Sequence, residues 1–146
     1  MTGNSRFAVS VHILAYLAYR QGAAVPSAEI AASVDTNPVV IRRLLSGLVK
    51  AGLVHTQKGA SGGFSLAAPL DQITLRDIYR AAEPAPTHGM AHFAPNTKCP
   101  VGAKIEAILH TAFVKAQAGM EAELALVTLA SIHEQLRPVC PGSKKP

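Results

Sequence analysis

The chain has 146 residues, 49% of them hydrophobic and none tryptophan, which suits one domain, or a small domain plus an appended helix, around an aliphatic core. Its formal net charge of +5 favours a polyanionic partner, and the excess sits in front: up to residue 70, Arg6, Arg20, Arg42, Arg43, Lys50 and Lys58 face only Glu29 and Asp35. Two cysteines exclude a disulfide framework, and nine acidic residues, with no paired carboxylates or Ser/His/Asp setting, give an enzyme no support.

The apolar run at residues 7–19 (FAVSVHILAYLAY) contains His12 and stops at Arg20. Its periodicity is that of an amphipathic helix rather than a leader, and it falls short of the roughly 20 residues needed to span a bilayer. A cytoplasmic protein is expected. This first helix is expected from a Ser5 cap to Gln21, ended by Gly22. A short second helix follows, capped by Ser27. In the next segment Asn37 is a good N-cap, Pro38 stands at the first helical position, and Gly52 closes the helix. Val40, Ile41, Leu44, Leu45, Leu48 and Val49 form its apolar stripe.

The stretches LVHTQ (53–57) and FSLA (64–67) alternate as half-buried strands do, and KGASGG joins them. That glycine run could in principle cradle a phosphate. A phosphate loop has to open a helix, whereas FSLA reads as a strand and Pro69 follows closely. No Gly-Lys-Ser/Thr motif is present either. The glycines are therefore the turn of a hairpin. Helix, turn, helix and hairpin in that order make a winged helix–turn–helix, whose second helix lies in the major groove while the hairpin reaches phosphates or the minor groove.

TLRDIYRAAE (74–83) makes a short helix with a Thr74/Asp77 capping pattern. Residues 84–98 have no period and read as a flexible sensor loop. From Cys99 to Leu136 a long helical segment runs with a possible break near Thr128, and a proline-bounded tail occupies 138–146. The expected organisation is thus a mainly α fold with a small β-hairpin wing: a DNA-binding unit over 1–83, the loop, a dimerisation region over 99–137, and the tail.

The run IRRLLSGLVKAGLVHTQKGASGGFSLA, with TLRDIYRAAE and NTKCPVG, resembles the Rrf2 family of bacterial winged-helix transcription regulators over residues 5 to about 135. That family includes the iron–sulfur cluster biogenesis regulator and the nitric-oxide-sensing repressor. The resemblance implies a homodimeric regulator, expected to be a repressor, on a pseudo-palindromic double-stranded operator, with residues 37–50 as recognition helix. Asn37, Val39, Arg42 and Arg43 are the candidates for reading DNA there; Arg42 and Arg43 are about 100° apart on the helix, so one is expected on a base and the other on a phosphate. Ser27, Ser61 and the backbone at Gly62 and Gly63 are candidates for phosphate contact, although capping alone would explain Ser27. Lys58 stands where the family commonly has an arginine aimed at the minor groove, and lysine lacks the planar guanidinium fork.

For the input, the resemblance implies a loop with three cysteines in cluster-binding members; this loop has only Cys99, so no cofactor is expected. Cys99-Pro100 falls ahead of a helix, where the dipole and Lys98 favour a thiolate. Either Cys99 senses oxidants, with Cys140 as resolving partner, or it only starts the helix. His88 and His92 with Cys99 form a weaker candidate metal set. A metal- or small-ligand-responsive regulator of the same fold and a winged-helix module that binds protein are the alternatives. Dimerisation is expected along Ile105, Ile108, Leu109, Ala112, Phe113, Ala116, Met120 and Leu124, because a helix this long exceeds what so small a domain can cover.

Overall fold

A computed structural model describes residues 3–83 and 94–137. Helix α1 (Gly3–Tyr19) is followed by α2 (Ser27–Val34) and α3 (Pro38–Lys50), then by strands β1 (Val54–Gln57) and β2 (Gly63–Leu66). A 3₁₀ turn at Leu70–Gln72, absent from the sequence reading, leads to α4 (Leu75–Ala82); α5 (Pro100–Leu124) and α6 (Leu129–Leu136) complete the described chain. The architecture is mainly helical with one two-stranded antiparallel hairpin, a winged helix–turn–helix.

The core lies where α1 to α4, the hairpin and α6 meet. Ile13, Leu14 and Leu17 of α1, Ile30 of α2, Ile41 and Leu45 of α3, Val54, Ile73, Ile78 and Leu129 are all essentially removed from solvent. Each such aliphatic side chain contributes about 1.5–3 kcal/mol relative to exposure. The angle between α1 and α2 is further held by polar contacts along their seam. Tyr16 donates its hydroxyl to Glu29 at 2.7 Å, Arg20 pairs with the same carboxylate, and His12 Nε2 meets Ser33 Oγ at 3.0 Å.

Several helix ends follow the local chemistry. The Asn37 side chain accepts the N–H of Val39 at 2.9 Å, Pro38 occupies the first helical position, and Gly52 takes φ 75° beyond the helix end. Thr74 and Asp77 form a full capping box. Two expected caps are corrected. Helix α1 starts at Gly3, before Ser5, and α2 is preceded by Pro26 in an extended conformation (φ −62°, ψ 146°). Pro26 sets that boundary because its ring fixes φ, and Ser27 becomes the first helical residue, without a capping bond.

The long C-terminal segment does break before Thr128, which caps α6 by accepting the N–H of Ser131 at 3.2 Å. The two pieces then part company. Leu129 is fully buried in the core of the N-terminal unit, its N–H donates to the Ile73 carbonyl at 2.8 Å, and Leu75 N–H donates to the Val127 carbonyl at 2.9 Å. Residues 129–136 therefore pack with the N-terminal unit, whereas α5 projects from it: Gly102 is its one buried residue.

Candidate nucleic-acid interface

Helix α3 divides into two faces. Ile41, Leu44, Leu45 and Leu48 are buried, while Val39, Arg42, Arg43, Ser46 and Lys50 are exposed. The second set follows the i, i+3, i+4, i+7, i+11 spacing of a single helix face. Arg42 and Arg43 thus flank one stripe, both reachable from outside. Ser46 was not singled out from the sequence; its place seven residues after Val39, outside the apolar stripe, was the signal that could have found it. Val40 turns inward and packs against the core, but its neighbour Val39 stays 54% exposed. Asn37 is exposed as well, with its Oδ1 taken by the cap.

The wing is pinned to the body rather than hanging free. Val54 pairs with Leu66 and Gln57 with Gly63, and β2 also bridges to the α1–α2 connector: Val25 and Phe64 exchange backbone hydrogen bonds of 2.9 Å in both directions. That approach requires glycine. A Cβ on Gly63 would come 2.5 Å from the Val25 carbonyl, and one on Gly62 would come 2.3 Å from the Gln57 oxygen. Gly59 turns the chain with φ 104° and accepts the Gly62 N–H at 3.0 Å. The glycines close and dock the hairpin, and the Gly62 amide is already engaged. What the turn presents outward is Lys58 and Ser61, both exposed. Ser27 is half-buried at the start of α2.

At the start of α5, the CPVG stretch has a packing logic. Cys99 is the N-cap, Pro100 the first helical residue, and a Cβ on Gly102 would meet the Asn96 carbonyl oxygen at 2.1 Å. Only glycine lets the Asn96–Cys99 turn fold back on the helix, where Cys99 N–H donates to Asn96 at 3.2 Å. Cys99 is exposed, and the backbone N–H groups of Gly102 and then Val101 hold its thiol below the ordinary value. Cys140, His88 and His92 lie outside the described residues. No group of three His, Cys, Asp or Glu that could hold a metal occurs among the described residues. With two cysteines in the whole chain, one subunit lacks the thiolates for a cluster held by a cysteine triad, so the donor set does not fit that group.

The expected dimerisation stripe runs along α5. Ile108 is 61% and Met120 41% exposed, Ala112 and Ala116 are exposed, and Ile105, Leu109, Phe113 and Leu124 are half-buried. One polar network ties the helix to α4. Arg80 Nε donates to Glu121 Oε2 at 2.6 Å, and Gln117 Nε2 donates to Tyr79 Oη at 3.1 Å and to Glu121 Oε1 at 2.9 Å. Tyr79 in turn stacks edge-on with Phe7 of α1, 5.6 Å between ring centres. A hollow of about 250 Å³ is lined by Ala51, Leu53, Asp77, Arg80 and Ala81, from the α3–β1 junction and α4 rather than from α5. Among the described residues no helix is long and apolar enough to cross a membrane.

Comparison with known proteins agrees with this geometry. The Rrf2 family model, described as an iron-dependent transcriptional regulator, matches residues 3–135. The chain is 40% identical over 133 residues to the Bacillus subtilis (strain 168) protein named "Putative HTH-type transcriptional regulator YwnA", covering 91% of this chain and 98% of that one. A crystal structure of a "putative DNA binding protein" matches with TM-score 0.70 and 38% identity, over 87% of this chain and 97% of the other. A crystal structure of a "putative transcriptional regulator" from Lactobacillus plantarum matches with TM-score 0.78 and 30% identity, over 90% of this chain and 89% of the other. An α3 helix with one basic exposed face, a docked wing and a match across nearly the whole chain lead to one conclusion: the protein belongs to the Rrf2 family of transcriptional regulators and has its winged-helix DNA-binding fold.

Proposed function

We propose that the chain is a homodimeric repressor that binds a two-fold operator, with one α3 in the major groove of each half-site. The observation that carries this reading is the exposed α3 face of Val39, Arg42, Arg43, Ser46 and Lys50, beside a wing that presents Lys58 and Ser61. Arg43 or Arg42 supplies the bidentate contact to a guanine, and the other arginine takes a phosphate. Lys58 and Ser61 meet the flanking backbone, and Ser27 at the start of α2 is a further candidate for a phosphate contact. The apolar exposure along α5 supports pairing of two copies through that helix, with Ile108 and Met120 at the seam. Such a regulator works where its DNA is, in the cytoplasm.

The proposed input is the Cys99 thiol, without an iron–sulfur cluster or other metal. Its lowered pKa raises the thiolate fraction at neutral pH, and oxidation there, with Cys140 as the resolving thiol, would alter the α5 end of the dimer. The test has two arms. Log affinity against log salt should fall steeply, and Arg43→Ala should lose operator preference; a flat salt dependence removes the DNA reading. With peroxide, operator affinity should change in the native chain and not in Cys99→Ser; equal responses remove the thiol input alone.

A further inference from the structure

Two adjacent valines open the recognition helix, and the fold treats them oppositely. Val40 packs against the core, whereas Val39 keeps 54% of its surface in water. Its position is fixed from both sides: Pro38 precedes it in the first turn, and its own N–H is held by Asn37 Oδ1 at 2.9 Å. Being β-branched, it has one strongly preferred side-chain rotamer on a helix, so the exposed methyl groups form a rigid knob. Arg42 and Arg43 lie three and four residues further on, neighbours of that knob on the same face. An apolar knob beside two cations suits one apolar group embedded in a polyanion better than it suits an apolar protein groove. The thymine 5-methyl is the apolar feature that the major groove displays.

We infer that Val39 is a specificity-determining residue that reads the methyl group of a thymine in each half-site, next to the base pair taken by an arginine of α3. The inference rests on the DNA-binding reading above and adds the base that the helix start selects. The predicted half-site holds a thymine beside a guanine, in register with the spacing of Val39 and Arg43 along the helix.

Random duplexes enriched by the full chain supply a bound sequence, in which each thymine is then replaced by deoxyuridine, which lacks only the methyl. One thymine per half-site should lose about four-fold in affinity on this change, as expected for one methyl-sized apolar group left in water. Val39→Ala, whose exposed site leaves folding intact, should bind thymine and uracil versions alike. Two results overturn the inference while leaving the DNA reading in place: equal binding at every thymine, or the same uracil penalty in Val39→Ala as in the native chain. If no duplex is enriched over competitor DNA, the DNA-binding reading fails and takes this one with it.

Discussion

Helices α3 and α5 are both rich in apolar residues, yet the fold uses them differently. Helix α3 places four of its thirteen residues in the core and turns its charged face outward, so all its large apolar side chains but Val39 are covered within the chain. Helix α5 spans 25 residues and buries only Gly102, leaving Val101, Ile108, Val114 and Met120 between 41% and 67% exposed. The contrast shows that apolar periodicity alone does not say where an apolar face finds its partner. The surrounding topology decides: α3 is wedged among α2, α4 and β1, while α5 is tied to α4 near its C-terminal end and leaves most of its length exposed.

Substitutions can break or sharpen that contrast. The largest effect is expected for Leu45→Ala, which empties a fully buried site and should cost about 2–5 kcal/mol in urea or thermal unfolding, whereas Ile108→Ala should leave monomer stability nearly unchanged. If both cost the same, α5 is packed in a way its exposure does not suggest. Next comes Gly63→Ala, whose methyl would collide with the Val25 carbonyl; about 1–3 kcal/mol of destabilisation is expected, along with weaker DNA binding as the wing loses its seat. On the proposed pairing through α5, Ile108→Glu should leave circular dichroism unaltered and shift sedimentation from dimer to monomer, and a persistent dimer would move the seam elsewhere. The smallest effect belongs to Arg80→Ala, which releases a surface-exposed pair and should cost under about 1 kcal/mol. Its pH dependence is a further check. The hydrogen bond from Gln117, then that from Arg80, holds Glu121 below the usual carboxylate range. The contribution is therefore fully present above the ordinary glutamate value and fades as pH falls through the lowered one. Stability curves of native chain and Arg80→Ala should converge in acid.

Much of the winged-helix unit was readable because its signals are local. Asn37-Pro38, Thr74 with Asp77, and the glycine run between two alternating stretches each act within a few residues, and all appear where the pattern put them. The Ser27 cap fails because Pro26 fixes its own backbone more firmly than a serine hydroxyl can, whereas nothing in the structure explains why α1 begins at Gly3, ahead of Ser5. The docking of α6 was not readable. It depends on Thr74 pairing with Thr128 and on Leu129 finding Ile73, contacts more than 50 residues apart that no periodicity announces. For the candidate site, the positions of Val39, Arg42, Arg43 and Lys58 were legible from helix and hairpin pattern. Ser46 was missed because a lone serine carries no charge to draw the eye.

The Arg80–Glu121 pair also sets a mechanical ratio. It clamps α5 close to its C-terminal end, next to the point where the chain re-enters the core at Leu129. Cys99 lies at the opposite end, 22 residues away, or roughly 33 Å along a helix that rises about 1.5 Å per residue. Helix α5 is therefore a lever with its fulcrum against α4. A tilt of about 10° at Glu121 sweeps the Cys99 end through roughly 6 Å over that length.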